Sequence, residues 1–393
     1  MIPHTGARIA FQPRIRKGAF FEAAWRHGCR NFSVYNRTYI SGSFSDPEQE
    51  YWQVVNDVAL WPAMGERQVE ISGPDAGRFV QLLTPRNMSK CVVGQCKYAL
   101  ITSPSGGVFS DPIILRLDED RFWLSTSDWD LEHWALGLSV NAGLDVTIRD
   151  ANVSVIQVQG PKSPVLMANL FGEAILDLKY YWWAAFPFAN SQLIVSRTGW
   201  SGEFGYEIYL QDAALGDELF EALMTAGESC NVAPGSVNQT RRIESGILSA
   251  GVDVTPQETP YDVGLGRLVE LDHDANFVGR EALSLAKDQP PAKKLVGLRI
   301  EGERLASNED PWRVGDTNQD QIGRMTSCTW SPRLKGNIAL ALVKPEAADL
   351  DTRVRVETWD GWRDAIISKT LFIPKRQAED PHTLYEQSKQ AAS

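Results

Sequence analysis

The sequence predicts an α+β protein built from two related α+β units and a small C-terminal β-barrel. Three observations carry this reading. A chain of 393 residues with 43% hydrophobic and 23% charged content is globular and long enough for two or three domains. The turn Ser72-Gly73-Pro74-Asp75, which leads from a strand into a helix, is echoed at Gln159-Gly160-Pro161-Lys162. After a Pro/Ala/Lys-rich linker at 288–294, only short strands with Gly/Asp turns follow, over 295–300, 321–329, 338–343, 353–357 and 365–370.

The elements come in order. Arg14, Arg16 and Lys17 precede Phe20, Phe21, Ala23, Ala24 and Trp25, a basic arm entering a short amphipathic helix, although a solvated basic face has the same composition. A helix over 47–58 opens with Glu48 and Glu50, acids that suit a helix N-terminus. Residues 67–71 alternate as a strand and lead into a helix capped by Asp75 or Ser72, with Phe79, Val80, Leu82 and Leu83 on its apolar face. Strands at 98–101, 113–117 and 121–125 complete the first unit, and a strand over 153–158 with a helix ending near Gly172 opens the second. Helices follow over 215–227 and 240–248, then a Gly-punctuated strand at 260–271 and a short helix at 277–283. The polar, aperiodic stretch 377–393 reads as disordered.

Composition excludes several function classes. A net charge of −11 argues against nucleic acid as a partner, so an anionic ligand must be met by local cations. The five cysteines show no metal-ligand spacing; reduced thiols and no metal site are expected. No apolar run approaches the roughly 18 residues of a membrane span, and no signal-like N-terminus is present, which predicts a soluble cytoplasmic protein.

The chain is organised around 192–210, an apolar strand, a turn with Gly199, Gly202 and Gly205, and a second strand. Glu207 stands inside that apolar strand, where an unpartnered charge is costly. An ordinary hairpin with one outward acid gives the same spacing. The run Arg197-Thr198-Gly199-Trp200-Ser201-Gly202-Glu203-Phe204-Gly205-Tyr206-Glu207-Ile208, however, resembles the signature of the glycine-cleavage T-protein superfamily, the tetrahydrofolate-dependent aminomethyl- and methyltransferases. The resemblance extends over roughly 30–375. It includes Gly264-Leu265-Gly266-Arg267-Leu268-Val269, Phe277-Val278-Gly279-Arg280-Glu281-Ala282-Leu283 and the barrel block at 323–342.

The resemblance implies three domains in a ring around a folate channel. Residues 1–63 with 151–256 would form a discontinuous first, folate-binding α+β domain, 64–150 with 257–287 the second, 294–375 the barrel and 376–393 a disordered tail. It also implies tetrahydrofolate as cofactor, a small methyl donor as second partner, no membrane or nucleic-acid partner, and a homodimer as one assembly. Glu207 would bind the pterin and Trp200 would lie beside it, with Tyr98 also at the cofactor. Arg242 would meet the anionic tail, and Arg241 beside it is the less certain of the two; a buried ion pair of Arg242 with Glu207 is the competing structural reading.

The reaction type turns on Asp111, expected to be catalytic together with Tyr206. The aminomethyltransferases carry Asp-Asp-Leu here, whereas this chain has Ser110-Asp111-Pro112, similar to the dimethylsulfoniopropionate demethylases. A sulfonium methyl already has a neutral leaving group, so its transfer needs positioning more than acid catalysis. Trp182, Trp183, Trp123 and Tyr39 are expected at the donor, with Trp129 also beside the channel, because π faces hold methylated cations. Rings of 180–183 filling a core give the same pattern, and period two lets only one of Trp182 and Trp183 face the channel. Demethylation of dimethylsulfoniopropionate is the expected activity. The alternatives are an O- or N-demethylase of another methylated compound, the aminomethyltransferase of glycine cleavage, or a non-catalytic folate-binding protein.

Overall fold

The computed structural model describes residues 10–126, 128 and 130–392; Trp129 lies outside them. The chain starts one sheet, leaves it after Val58–Trp61 to build a second, and returns to the first at Ser154–Gln159. The first sheet has six strands in the order Trp183–Phe188, Ser191–Ser196, Gly205–Leu210, Ser154–Gln159, Val58–Trp61 and Val232–Pro234, antiparallel except for the last pair. Its alternation decides what faces the site. Tyr206, Ile208 and Leu210 point into a core covered by the helices Phe21–Arg26, Ser163–Phe171 and Gly216–Ala226, while Tyr209 joins the core between the two sheets.

The second sheet, Thr147–Asp150, Gln68–Ser72, Arg121–Ser125, Ile113–Asp118 and Cys96–Tyr98 in spatial order, carries the helices Ala76–Leu83 and Leu131–Ser139, which bury Phe79, Val80, Leu83 and Leu131 against it. In both units the strand-to-helix turn hinges on a glycine with positive φ, Gly73 at 122° and Gly160 at 127°. Both turns are also too tight for a side chain: a Cβ on Gly73 would sit 2.8 Å from the Asp145 carbonyl oxygen, and one on Gly160 would meet that of Asp57.

The barrel is closed and has six strands rather than five. The extra one, Trp312–Gly315, is only four residues long and follows an irregular loop, so it leaves little periodic signal, yet Trp312 and Val314 both fill the barrel core. The barrel's outward residues Ile338, Leu340 and Leu342 pack against Leu248, Val254 and Leu268 and dock it onto the rest.

Three other expectations are corrected. Residues 260–271 form turns and the single-turn 3-10 helix Gly266–Leu268 instead of a strand. The helix expected over 240–248 is Gln239–Glu244 and stops before Gly246, whose φ is 60°. The C-terminus is an ordered strap and helix rather than a disordered tail. The Phe372 and Ile373 amides donate to the Glu244 carbonyl and the Arg376 amide to Gly202, and the helix Pro381–Ala392 buries Leu384 and Tyr385 in the first core. Two apolar side chains a residue apart are too weak a pattern to announce this helix, but burying each contributes roughly 1.5–3 kcal/mol.

Candidate functional site

A cavity of about 1080 Å³ opens where the two sheets, the barrel edge and the C-terminal strap meet. It slightly exceeds the roughly 300–1,000 Å³ typical of small-molecule pockets. Its wall holds Glu66, Tyr98, Asp111, Tyr180, Tyr181, Trp200 and Glu207.

Glu207 owes its position to strand register: it pairs with Gln157 on one side and Ser196 on the other. The Gln157 amide donates to its Oε1 at 3.0 Å, and the hydroxyls of Thr198 and Tyr209 donate to Oε2 at 2.5 and 2.8 Å. All three partners are neutral. Burial therefore lifts the Glu207 carboxyl above its usual range, opposed by the hydroxyls of Thr198, Tyr209 and Ser196. The same Gln157 amide donates to Glu66 at 2.7 Å, so one nitrogen bridges two carboxylates. Burial and then the Glu207 charge push the Glu66 carboxyl well up, against the Gln157 hydrogen bond. Glu66 is part-exposed, and what it is exposed to is the cavity.

Asp111 accepts a 3.0 Å hydrogen bond at Oδ2 from the Tyr98 hydroxyl, whose own ionisation is pushed well up, first by burial and then by Asp111. Trp200 is held by its indole N–H on the Leu248 carbonyl at 3.2 Å. Two of the motif's glycines serve packing: a Cβ on Gly199 or Gly205 would strike the Gln159 amide, which lies between them.

The remaining expected residues lie elsewhere. Tyr206 adjoins Glu207 and so points to the opposite face, into the first core, 5.5 Å from the Arg197 guanidinium. Arg242 does not line the cavity. It is ion-paired with Asp253 and donates to Gln239, the Ile247 carbonyl and Ser327, while its guanidinium stands 5.3 Å from the Trp200 ring. It therefore braces Trp200, and its partner is Asp253 rather than Glu207. Arg241 is bound into a separate buried network with Glu203 at 2.6 Å.

Trp123 is fully buried on the second sheet and donates to Glu70 at 2.8 Å. Neither Trp182 nor Trp183 reaches the cavity, because Tyr181 takes φ = 60° and the strand begins only at Trp183. Trp183 donates to the Arg116 carbonyl at 2.9 Å and Trp182 packs over Gly94, which leaves the wall to Tyr180 and Tyr181. Tyr39 is buried in an aromatic cluster and accepts the Gln12 amide at 2.7 Å; Tyr35 lines the cavity instead.

Sequence reasoning missed Glu66, Tyr35, Tyr180, Tyr181, Arg267 and Lys375, all on the wall. Glu66 had a local signal, an acid just beyond the apolar run 58–64, and Tyr180 and Tyr181 stood in the aromatic run 180–183. None of the residues the sequence pointed to belongs to a metal cluster, and no helix among the described residues is long and apolar enough to cross a membrane.

Two α+β units and a barrel meet around a cavity whose wall holds a buried carboxylate with neutral hydrogen-bond partners. The family follows from two matches: the GCVT N-terminal domain over residues 15–273 and the glycine cleavage T-protein C-terminal barrel domain over 293–373. The chain belongs to the glycine-cleavage T-protein family of one-carbon-transferring enzymes. It is 35% identical to a dimethylsulfoniopropionate demethylase, DmdA, of Ruegeria pomeroyi, over 91% of this chain and 98% of that protein. An aminomethyltransferase of Shouchella clausii is 31% identical over 85% of this chain and 91% of its own. A trimethylamine-oxide aldolase of Ruegeria pomeroyi is 32% identical over 89% of this chain, which spans 46% of that longer protein. The crystal structure of the glycine cleavage system aminomethyltransferase T from Bartonella henselae superposes with a TM-score of 0.84 at 22% identity, covering 93% of this chain and 100% of that one, and establishes the shared fold.

Proposed function

We propose that the protein transfers a methyl group from a small methylated cation, with dimethylsulfoniopropionate as the first candidate, to N5 of tetrahydrofolate, releasing the demethylated donor and 5-methyltetrahydrofolate. The observation that carries the reading is Glu207, a cavity-lining carboxylate whose protein partners are all neutral donors. Such a group suits a pterin edge, which offers N–H donors to a fixed acceptor, and its burial makes that pairing stronger than in water. The likeness to a named demethylase, and the single acid of Ser110-Asp111-Pro112, favour methyl over aminomethyl transfer.

Tetrahydrofolate supplies the nucleophilic nitrogen when bound. The chain's residues do the rest. Glu207 and Trp200 hold the pterin edge and face. Asp111, fixed by Tyr98, takes the proton that the nitrogen sheds once methylated. The acids Glu66 and Asp111 and the tyrosines 35, 98, 180 and 181 surround the space left for the donor, a polarity that favours a cation. The transfer is in-line between two bound molecules, so alignment rather than acid strength sets the rate.

The test is to incubate the enzyme with tetrahydrofolate and a panel of sulfonium, betaine and methoxyaryl donors and follow 5-methyltetrahydrofolate by chromatography. Product from the sulfonium is expected. Product from a methoxyarene alone would overturn the donor class but not the folate claim.

A further inference from the structure

The cavity has a second pole. Arg267, in the turn of Gly266–Leu268, and Lys375, on the C-terminal strap, both line it. Among the described residues, almost every other buried or half-buried cation near the site is spoken for. Arg241 pairs with Glu203, Arg242 with Asp253, Arg333 with Glu244 at 2.8 Å and Arg376 with Glu379 at 2.8 Å. Neither Arg267 nor Lys375 has such a partner.

The electrostatics agree. Burial first, then the guanidinium groups of Arg267 and Arg241, hold the Lys375 ammonium below its ordinary range, and no carboxylate stands close enough to oppose them. Arg267 also lies near enough to Tyr98 to favour its ionisation, which sets this pole beside the Tyr98–Asp111 pair. In a chain of net charge −11, like charges gathered on a cavity wall without a counter-ion are destabilising until an anion arrives.

The strap is also built to hold still. The buried Arg197 donates to the Gln377 carbonyl at 2.8 Å, Gln377 donates to Gly199 at 2.8 Å, and Arg241 donates to the Pro374 carbonyl at 3.0 Å. Lys375 is thus flanked on both sides by anchored residues and presented to the cavity.

We infer that Arg267 and Lys375 form a carboxylate anchor, clamping the free carboxylate of a bound ligand between the strap and the Gly266–Leu268 turn. This rests on the functional reading above for the ligand's identity. The carboxylate can belong to the folate glutamate or to the methyl donor, and both present the same chemistry to two cations.

The experiment uses Arg267→Gln, Lys375→Gln and the double variant of the full chain. Without ligand, each variant should melt at or above the wild-type temperature, since a repulsion is removed and no internal partner is lost; a clear drop would mean a structural role and overturn the anchor. Affinities are then compared for tetrahydrofolate against 6-methyltetrahydropterin, and for dimethylsulfoniopropionate against trimethylsulfonium. A loss of about tenfold or more per variant is expected for the carboxylate-bearing member of one pair only, as for removal of a charged hydrogen-bonding partner. A loss confined to the folate pair assigns the tail, and one confined to the sulfonium pair assigns the donor. Equal effects on both members of each pair, or none, overturn the anchor.

If wild type takes up no folate, the functional reading fails separately. Glutarate then decides the anchor: a thermal upshift in wild type that the double variant lacks supports it, and identical behaviour sinks it.

Discussion

Glu203 and Glu207 lie four residues apart in one motif, both almost fully buried, and their surroundings are opposite. Glu203 is surrounded by cations: Arg241 at 2.6 Å, Arg333 at 3.6 Å and Arg376 at 3.8 Å. Glu207 meets only neutral donors, the Gln157 amide and the hydroxyls of Thr198, Tyr209 and Ser196. Glu203 stands away from the cavity, in the network that ties the helix Gln239–Glu244 to the barrel and the strap; Glu207 lines the cavity. The same contrast separates Arg242, matched by Asp253, from Arg267 and Lys375 on the wall. Buried charge that is internally matched ties elements of this fold together, and we propose that charge left unmatched at the cavity is held ready for a ligand.

The largest effect that tests this division is on stability. Arg241→Ala strands Glu203 without its nearest cation and should cost about 3–5 kcal/mol, read from chemical unfolding. A loss no larger than that of an ordinary surface substitution would show that the matched network is not what secures the strap and helix.

A second effect concerns pH. The Glu66 and Glu207 carboxyls are both raised, so between the ordinary carboxylate value of about 4.3 and their raised values the folded protein holds more protons than the unfolded chain. Stability of the ligand-free protein should therefore fall as pH rises through that window. Glu66→Gln keeps an acceptor for the Gln157 amide and should flatten the slope. Parallel slopes for wild type and variant, measured by urea unfolding across the window, would mean the two carboxylates are not strained by their burial.

The smallest effect falls on Tyr181, one of the rings proposed to surround the donor. Replacing it with Leu keeps an apolar body but removes the π face, and a sulfonium donor should bind more weakly by about 0.5–2 kcal/mol. A neutral methoxyaryl ligand should lose only stacking. Equal losses for the two would show that the ring makes no cation–π contact with the donor.

Much of the scaffold was legible because it rests on local rules. The two Gly-Pro turns, the strands on either side of the glycine turn and the helix Gly216–Ala226 follow from periodicity and turn chemistry. Of the residues named for the site, Glu207, Trp200, Tyr98 and Asp111 line the cavity. Tyr206 was excludable, since neighbours on a strand face opposite ways. Trp123, Trp182, Trp183 and Tyr39 were not, because composition cannot tell a ring that lines a channel from one that fills a core. Arg242 illustrates the same limit for charge: Asp253 lies only eleven positions on, but the pairing depends on the helix end at Glu244 and the barrel strand that brings Ser327 alongside. Glu66, Arg267 and Lys375 come from three distant segments, and only the assembled domains make them one wall.

Whether Glu207 is kept unmatched for a ligand is decided by calorimetric titration of tetrahydrofolate into wild type and Glu207→Gln. The variant should bind at least about tenfold more weakly, as loss of a charged acceptor gives, while its ligand-free melting temperature stays level or rises because a costly buried charge has gone. Unchanged folate affinity together with a lower melting temperature would contradict such a role and make Glu207 a structural residue like Glu203.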